Sequence, residues 1–128
     1  MDANANAINW FEISVSDIQR AKKFYETIFS TSLDDVQEMM GMKMSFFPID
    51  PMSGKIGGGL VESHMHVPST EGAVLYLNGN PDLDLVLSKV DAAGGKIAMP
   101  KMKISDEVGY MAFFIDSEEN KIGLHSNH

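Results

Sequence analysis

The sequence predicts an α+β fold made of two copies of one strand-helix-strand-strand-strand unit. The same order of elements occurs twice, and an offset of 65 residues, half of the chain, superimposes Asp17 at the start of the first helix on Asp82. A chain of 128 residues buries roughly two-thirds of its unfolded surface, which is enough for one core. We therefore expect a single domain, residues 1–128, with modules at about 7–63 and 71–127.

The first module opens with a strand and a well-signalled helix. Residues alternate in character over Ile8–Val15, which is typical of a strand. Apolar positions in "DIQRAKKFYETIF" then recur at helical spacing. Ser16 and Gln19 have the spacing of a capping box at the helix start. Three further strands are predicted at "SLDDVQEM", "MKMSFFPI" and "GGGLVE".

The second module repeats this order. A strand over Gly72–Asn78 precedes Asn80, a capping residue, and Pro81, which is favoured at the first position of a helix. Gly94 and Gly95 end the predicted helix. The last three strands are predicted at "KIAMPKMKI", "GYMAFFID" and "KIGLHS".

Composition excludes several classes of function. The chain has 18 acidic and 10 basic residues, a net charge of -8, which argues against binding to nucleic acids or anionic membranes. It has no cysteine, so disulfides, thiolate metal sites and cysteine nucleophiles are excluded. No apolar run reaches the length of a membrane span, and "MDANANA" lacks the features of a signal peptide. We expect a cytoplasmic protein whose partner is a small neutral or cationic molecule.

Three stretches carry a resemblance to a known family: "NWFEISVSDIQRAKKFYETIF", "LYLNGNPDLDLVLSKVDAAGGKI" and "GYMAFFIDSEENKIGLHS". The chain resembles the vicinal oxygen chelate superfamily, which includes lactoylglutathione lyase, bleomycin- and fosfomycin-resistance proteins and extradiol dioxygenases. It looks most similar to a bacterial subgroup of glyoxalase-related proteins. The resemblance implies two βαβββ modules with mixed sheets curled around a central pocket, usually in a homodimer. In metal-using relatives, the first and last strands of each module supply the ligands.

The residues at those ligand positions do not suit a metal. The resemblance places Trp10 where the lyase has a histidine, and Gly123 where it has a glutamate. Tryptophan cannot ligate a metal, and the strand at 72–78 contains no histidine, aspartate or glutamate. Glu62 is ambiguous because the register of its strand is uncertain. We expect no glyoxalase-type metal site and no cofactor, and a bound divalent metal is disfavoured.

The same resemblance selects candidate catalytic residues. It makes the Trp10 face of the first strand a pocket face, and strand alternation adds Glu12 and Ser14. A buried charge such as Glu12 must be paired, neutralised or functional, so both a structural ion pair and a catalytic role stay open. In the last strand, His125 shares a face with Gly123, and imidazole exchanges protons near neutral pH.

Tyrosines and an amide complete the predicted site. Tyr76 and Asn78 share one face of their strand, and Tyr110 shares a face with Ala112. Each tyrosine offers a ring and a hydroxyl to a ligand, although buried tyrosines in ordinary cores do the same.

Two other motifs favour structural interpretations. His64 and His66 have a spacing that suits a metal, but they lie in a polar loop and are predicted to form a solvated surface. The run Gly57-Gly58-Gly59 is followed by no helix, so close packing or strand bending is favoured over a phosphate cradle.

We therefore predict a small-molecule-binding protein, a homodimer, without the glyoxalase-type metal site. If it is an enzyme, we expect a lyase or isomerase in which Glu12 and His125 exchange protons with the substrate. The predicted substrate-binding residues are Trp10, Ser14, Tyr76, Asn78 and Tyr110. One alternative is a metal-dependent lyase or dioxygenase with substitute ligands. The other is a non-catalytic protein that sequesters a drug, for which the negative charge suits a cationic compound.

Overall fold

The computed structural model describes residues 1–128 and consists of two four-stranded sheets and three helices. The strands are β1 (Trp10–Ser14), β2 (Gln37–Met39), β3 (Met42–Phe46), β4 (Gly57–Glu62), β5 (Tyr76–Asn78), β6 (Lys96–Ser105), β7 (Gly109–Ile115) and β8 (Lys121–Ser126). The helices are α1 (Ile18–Phe29), α2 (Asp84–Leu87) and α3 (Val90–Ala93). Sheet 1 has the strand order β1-β4-β3-β2, and sheet 2 has the order β5-β8-β7-β6. The first and last strands of each module pair in parallel and the other pairs are antiparallel, so the predicted α+β fold with two βαβββ modules is confirmed.

The cap of α1 differs from the predicted capping box. Asp17 caps the helix, because its Oδ1 accepts hydrogen bonds from the backbone N–H groups of Gln19 and Arg20, both at 3.1 Å. The backbone N–H of Ser16 donates instead to Glu118, at 3.0 Å. The predicted Ser16–Gln19 capping box is therefore wrong, because a neighbouring aspartate takes the capping position.

The helix of the second module begins later than predicted and is split in two. The side chain of Asp82 accepts the backbone N–H of Asp84 at 3.0 Å, and α2 begins at Asp84 rather than at Pro81. Between α2 and α3, the N–H of Lys89 donates to the carbonyl of Val86, three residues earlier. Such a bond belongs to the tighter 3₁₀ geometry, which interrupts the α-helical pattern. Gly94 ends α3 in a left-handed conformation, as expected.

Several strands are shorter than the sequence predicts, β2 and β5 most of all. Strand β2 covers three residues of the predicted "SLDDVQEM", and β5 covers three residues of the predicted Gly72–Asn78. Leu33 lies buried in the core, and its N–H donates to Glu26 rather than to a neighbouring strand. Gly72 has φ +94°, which is incompatible with an extended strand. The apolar residues of these segments therefore pack against the core without belonging to a sheet.

Helix α1 lies between the two sheets and gives them one core. The ring of Phe24 lies 6.0 Å from that of Phe114 in sheet 2, and the ring of Tyr25 lies 5.6 Å from that of Phe47, which follows β3 of sheet 1. Leu60 of β4 and Leu124 of β8 are also fully buried in this cluster. We call the sheet faces that contact the helices the inner faces, and the opposite ones the outer faces. With 12 residues α1 is the longest helix, and no helix is long and apolar enough to cross a bilayer.

The turn between β7 and β8 joins the two modules. The buried Glu118 carboxylate accepts the backbone N–H groups of Ser16 and Asp17, at 3.0 and 2.9 Å, and its Oε2 accepts the Arg20 Nε at 2.7 Å. In the same turn, the carboxylate of Asp116 accepts the Tyr25 hydroxyl at 2.6 Å. The last hairpin of module 2 therefore supplies the anion that the N-terminus of α1 favours.

Burial and hydrogen bonding act in opposite directions on these carboxylates. Burial raises the pKa of Glu118, but hydrogen bonds from Arg20, from the Asp17 backbone and from Ser117 outweigh it, so the pKa lies below its ordinary value. For Asp116, burial prevails over its hydrogen bonds and raises the pKa. Burial, followed by the charge of Asp116, raises the pKa of Tyr25 well above its ordinary value. The phenol therefore stays protonated and donates a hydrogen bond to Asp116.

We expect Glu118→Gln to lower the free energy of unfolding by roughly 1.5–3 kcal/mol at neutral pH, because hydrogen bonds to an ionised carboxylate are lost. The folded-state pKa of Glu118 lies below its ordinary value of 4.5. Its stabilising effect is therefore fully present above that value and is lost as the pH falls through the folded-state pKa. The difference in free energy of unfolding between the variant and the parent, measured by urea unfolding, should be largest near neutral pH and should shrink as the solution becomes acidic. Glu107→Gln, at an exposed position, is the control; a difference that widens in acid would contradict this assignment.

Candidate functional site

Strand β1 carries three of the predicted site residues on its outer face. Trp10, Glu12 and Ser14 lie opposite the core residue Ile13, as alternation predicts. The indole of Trp10 is 42% exposed and meets the ring of Phe46 edge to face, with centroids 5.5 Å apart. Glu12 is exposed, so the expectation of a buried charge is wrong. An aromatic surface and a carboxylate are therefore open on one side of sheet 1.

Glu12 is hydrogen-bonded to a histidine from the loop after β4. The Nε2 of His66 lies 3.2 Å from Glu12 Oε1, and its Nδ1 lies 2.8 Å from the hydroxyl oxygen of Ser63. An ionised carboxylate only accepts hydrogen bonds, so Nε2 donates to Glu12, and in the neutral imidazole Nδ1 accepts from Ser63. The Ser63 oxygen in turn accepts the N–H of Met65 at 3.1 Å. These bonds hold the imidazole in one orientation, and no protein group bonds to Glu12 Oε2.

The prediction that His66 belongs to a solvated surface is therefore wrong. Its side chain is only 20% exposed, because the turn from Ser63 to His66 folds the ring back over β1. His64, by contrast, is exposed. Of the two interpretations kept for Glu12, the structure supplies the basic partner that an ion pair requires, when His66 is protonated.

A small polar cleft lies beside Glu12, where the two modules meet. It has a volume of about 150 Å³, and its polar lining includes Glu12, Ser14, Glu71 and Lys121. The carbonyl of Ser14 accepts the Asn120 side-chain amide at 2.8 Å, which holds this part of β1 against the start of β8. Ser14 and Glu12 thus share one cleft with a cation from module 2.

His125 lies on the outer face of sheet 2 and does not reach Glu12. It shares its face with Gly123, as predicted, while Leu124 points into the core. Its Nε2 donates to the carbonyl of Val108 at 2.6 Å, and this bond ties β8 to the turn between β6 and β7. The predicted pairing of Glu12 with His125 in one acid-base site has no support in this geometry.

Equivalent positions in the two modules each hold an aromatic ring over a glycine. Trp10 pairs with Gly57 in the parallel β1–β4 ladder, just as Tyr76 pairs with Gly123 in the β5–β8 ladder. A Cβ added at Gly57 would lie 3.2 Å from the Trp10 ring, and one added at Gly123 would lie 2.6 Å from the Tyr76 ring. Close packing therefore explains these glycines, including the start of the Gly57-Gly58-Gly59 run.

Tyr76 and Asn78 lie together, whereas Tyr110 lies apart from them. Tyr76 is 51% exposed, and both it and Asn78 line a larger cavity between the modules. Tyr110 shares a face with the buried Ala112, as predicted, but this is the inner face of sheet 2. Its ring packs against the core, with Lys101 Nζ 4.5 Å from the ring centroid. The structure therefore does not bring Tyr110 together with the other predicted ligand-binding residues.

The residues at the metal-ligand positions do not fit a metal. The resemblance assigns such positions to Trp10 and Gly123, whose strand partners are Gly57 and Tyr76. No group of three histidine, aspartate or glutamate side chains comes close enough to hold an ion. Glu62 lies on the inner face, where it accepts the backbone N–H of Ile18 at 2.9 Å. Glu12 and His66 provide only two donors, fewer than the three or four that a first-row metal requires.

Sequence reasoning missed several residues of this region. Alternation in β8 already placed Lys121 on the same face as His125, so that signal was present in the sequence. Nothing in the sequence pairs His66 with Glu12, because the contact joins residues 54 positions apart through an irregular loop.

Comparison with known proteins establishes the family. Residues 7–124 match the model of the glyoxalase/bleomycin resistance protein/dioxygenase superfamily. The chain belongs to this superfamily. CFP32 of Mycobacterium bovis, a glyoxylase by name, is 29% identical over 119 residues, which cover 91% of this chain and 44% of that protein. The chain thus spans less than half the length of the curated relatives it matches.

Solved structures share the superfamily fold. A glyoxalase/bleomycin resistance protein from Albidiferax ferrireducens T118 has a TM-score of 0.67 at 19% identity, covering 94% of this chain and 98% of that one. A glyoxylase/bleomycin resistance protein/dioxygenase domain from Frankia sp. EAN1pec has a TM-score of 0.70 at 13% identity, covering 98% and 100%. The E144Q mutant of Zea mays glyoxalase I has a TM-score of 0.71 at 16% identity, covering 94% and 44%. At these identities the likeness concerns the fold alone.

We expect Gly123→Ala to lower the free energy of unfolding by roughly 1–3 kcal/mol, because the new methyl group overlaps the Tyr76 ring. Adding Tyr76→Ala should relieve the overlap. The free energy of unfolding should therefore fall in the double variant by about 1 kcal/mol less than the summed decreases of the two single variants. Chemical denaturation of all four proteins measures this difference. Tyr76→Phe, which keeps the ring, is the matched control and should give no relief; additive single and double variants would show that the ring does not pack on the glycine.

Proposed function

We propose that the chain binds a small molecule on the outer face of sheet 1 and that Glu12 exchanges a proton with it. The observation that supports this proposal is the Glu12–His66 hydrogen bond, which lies on an open strand face beside an exposed indole. The ring of Trp10 offers a stacking surface for a planar group. The adjacent cleft, with Lys121 in its wall, suits a small polar substituent of the same ligand.

The arrangement favours Glu12 as the group that moves the proton. His66 occupies Oε1, so Oε2 is the oxygen free to take a proton from a ligand and to return it to a neighbouring atom. Returning the proton to another carbon is isomerisation, whereas loss of a leaving group after proton removal is elimination. Ser63 and His66 act as positioning residues, because they orient the carboxylate without needing to touch the ligand. No metal enters this scheme, because only two donors are present.

A second copy of the chain would enclose the site. The outer faces of both sheets expose large apolar side chains, with Trp10 on sheet 1 and Tyr76 on sheet 2, and a closed pocket requires a second wall. Because both sheets of one chain turn their inner faces to the same helices, neither can supply that wall for the other. A homodimer related by a twofold axis supplies it twice.

Sequestration of a cationic aromatic compound without turnover is the second candidate function. The observation that favours it is the exposed Trp10 ring on a chain of net charge -8, since indole faces attract cations. The two functions share a binding site and differ in the fate of the ligand.

We expect a ligand found by thermal-shift screening of polar metabolites and cationic aromatic drugs to bind the parent and Glu12→Gln with affinities within about threefold, and to bind Trp10→Ala roughly tenfold more weakly. If the ligand is turned over, Glu12→Gln should lower kcat by about 10²–10⁴-fold, and His66→Gln should lower it less. Calorimetry and product analysis measure these effects.

His64→Gln is the matched control for His66→Gln, because His64 is the exposed histidine of the same loop. Equal activities of these two variants would show that His66 is not part of the proposed site. If Trp10→Ala binds the ligand with unchanged affinity, the ligand does not bind on sheet 1. Binding without product, in the parent as in Glu12→Gln, would favour sequestration.

For the oligomeric state, we expect static light scattering to give about twice the 14.1 kDa mass of one chain. The physical reason is the apolar surface that the outer faces would otherwise leave in water. A single-chain mass at micromolar concentration would contradict the homodimer.

A further inference from the structure

A large cavity lies between the modules, and neither Glu12 nor His66 lines it. It has a volume of about 840 Å³, within the range of pockets that hold small molecules. Phe11, Phe29 and Phe47 supply aromatic lining from module 1, and Leu75 and Leu77 supply aliphatic lining from module 2. The cavity is thus large enough for an entire ligand and mainly apolar.

This cavity belongs to the other side of β1. Phe11 points to the inner face of sheet 1, whereas Trp10 and Glu12 point to the outer face, because successive strand residues alternate. The cavity and the polar cleft beside Glu12 share Ala73 and Leu75 in their linings, but none of the charged residues of the cleft lines the cavity. The polar groups of the two sites are therefore separate.

The lining restricts the charge of an occupant. None of the 16 lining residues is acidic, basic or a histidine, although the chain has 18 acidic and 10 basic residues. An ion moved from water into such surroundings would lose part of its hydration without gaining a charged partner. A neutral molecule avoids this penalty.

The polar side chains of the lining indicate what the occupant carries. They are Thr31, Tyr76, Asn78 and Asn80. The side-chain oxygen of Asn78 already accepts the N–H of Asn80, and that of Asn80 accepts the N–H of Asn127. Both amide NH₂ groups remain as donors, so they suit a ligand oxygen that accepts hydrogen bonds.

We propose that this cavity binds one neutral apolar molecule that carries an uncharged oxygen, such as a long-chain alcohol or ester. The apolar part contacts the three phenylalanines and the leucines, and the oxygen contacts the asparagine amides. This proposal does not rest on the function proposed for Glu12.

The test uses the full chain and N-phenyl-1-naphthylamine, a neutral dye that fluoresces in apolar surroundings. We expect saturable binding of one dye per chain, displacement by 1-dodecanol, and at least about tenfold weaker displacement by dodecanoate, which has the same chain length but a charge. Equal displacement by the alcohol and the carboxylate, or binding of many dyes per chain without saturation, would overturn the proposal.

Two substitutions at one wall position locate the site. The backbone N–H of Thr31 donates to Glu26, and this bond does not depend on the side chain. Thr31→Phe fills space and should weaken dye binding about tenfold, and Thr31→Lys adds a cation and should improve displacement by dodecanoate relative to dodecanol. Thr70→Phe, at an exposed loop position, is the matched control.

Dye binding that is the same in Thr31→Phe and Thr70→Phe would place the dye elsewhere and overturn the proposal. Absence of dye binding, together with dissociation of dimers by Thr31→Lys in light scattering, would identify the cavity as a contact surface for a second copy and also overturn it. Circular dichroism establishes that each variant is folded. If Thr31→Phe is not folded, the comparison of dodecanol with dodecanoate on the unaltered chain still decides the matter.

Discussion

The fold depends on one buried carboxylate that joins its two halves. Glu118 belongs to the last hairpin of module 2, yet its hydrogen-bond donors, Ser16, Asp17 and Arg20, surround the start of the helix of module 1. In the same turn, Asn120 bonds to the backbone of β1. These contacts therefore fix the position of β1 relative to sheet 2. They also fix the cleft beside Glu12, which lies between the two. A shared core around α1 adds stability, but apolar packing alone is not directional.

The outer faces of the two modules share one geometry but carry different side chains. In both modules, the first pair of the parallel strand ladder consists of an aromatic ring lying on a glycine. The modules differ at the next residue on the outer face of the strand, which is Glu12 in β1 and Asn78 in β5. A carboxylate can exchange a proton with its surroundings, whereas an amide can only donate and accept hydrogen bonds. The duplicated architecture supports two different surfaces because the strand ladders, not the side chains, maintain the symmetry.

Local patterns predicted much of this structure. Alternation placed Trp10 and Glu12 together on one face of β1, and helical periodicity predicted the full extent of α1. Features that depend on distant parts of the chain could not be predicted. The contact of His66 with Glu12 depends on how an irregular loop folds back, and the isolation of His125 from Glu12 depends on which sheet faces the helices enclose. Tyr110 shows the same limit, because parity placed it beside Ala112 without indicating which face was the inner one.

The ring of Tyr76 on Gly123 also constrains how this chain could change over evolutionary time. A glutamate at position 123 would need the space that the Tyr76 ring occupies, so Tyr76 would first have to become smaller. That first step exposes a cleft over the glycine and brings no metal ligand, while the reverse order introduces a steric clash. Each single substitution disturbs the packing of this strand pair, and only the two together make room for a carboxylate. The two positions are therefore coupled, so the side chains that position 123 can accept depend on the residue at position 76.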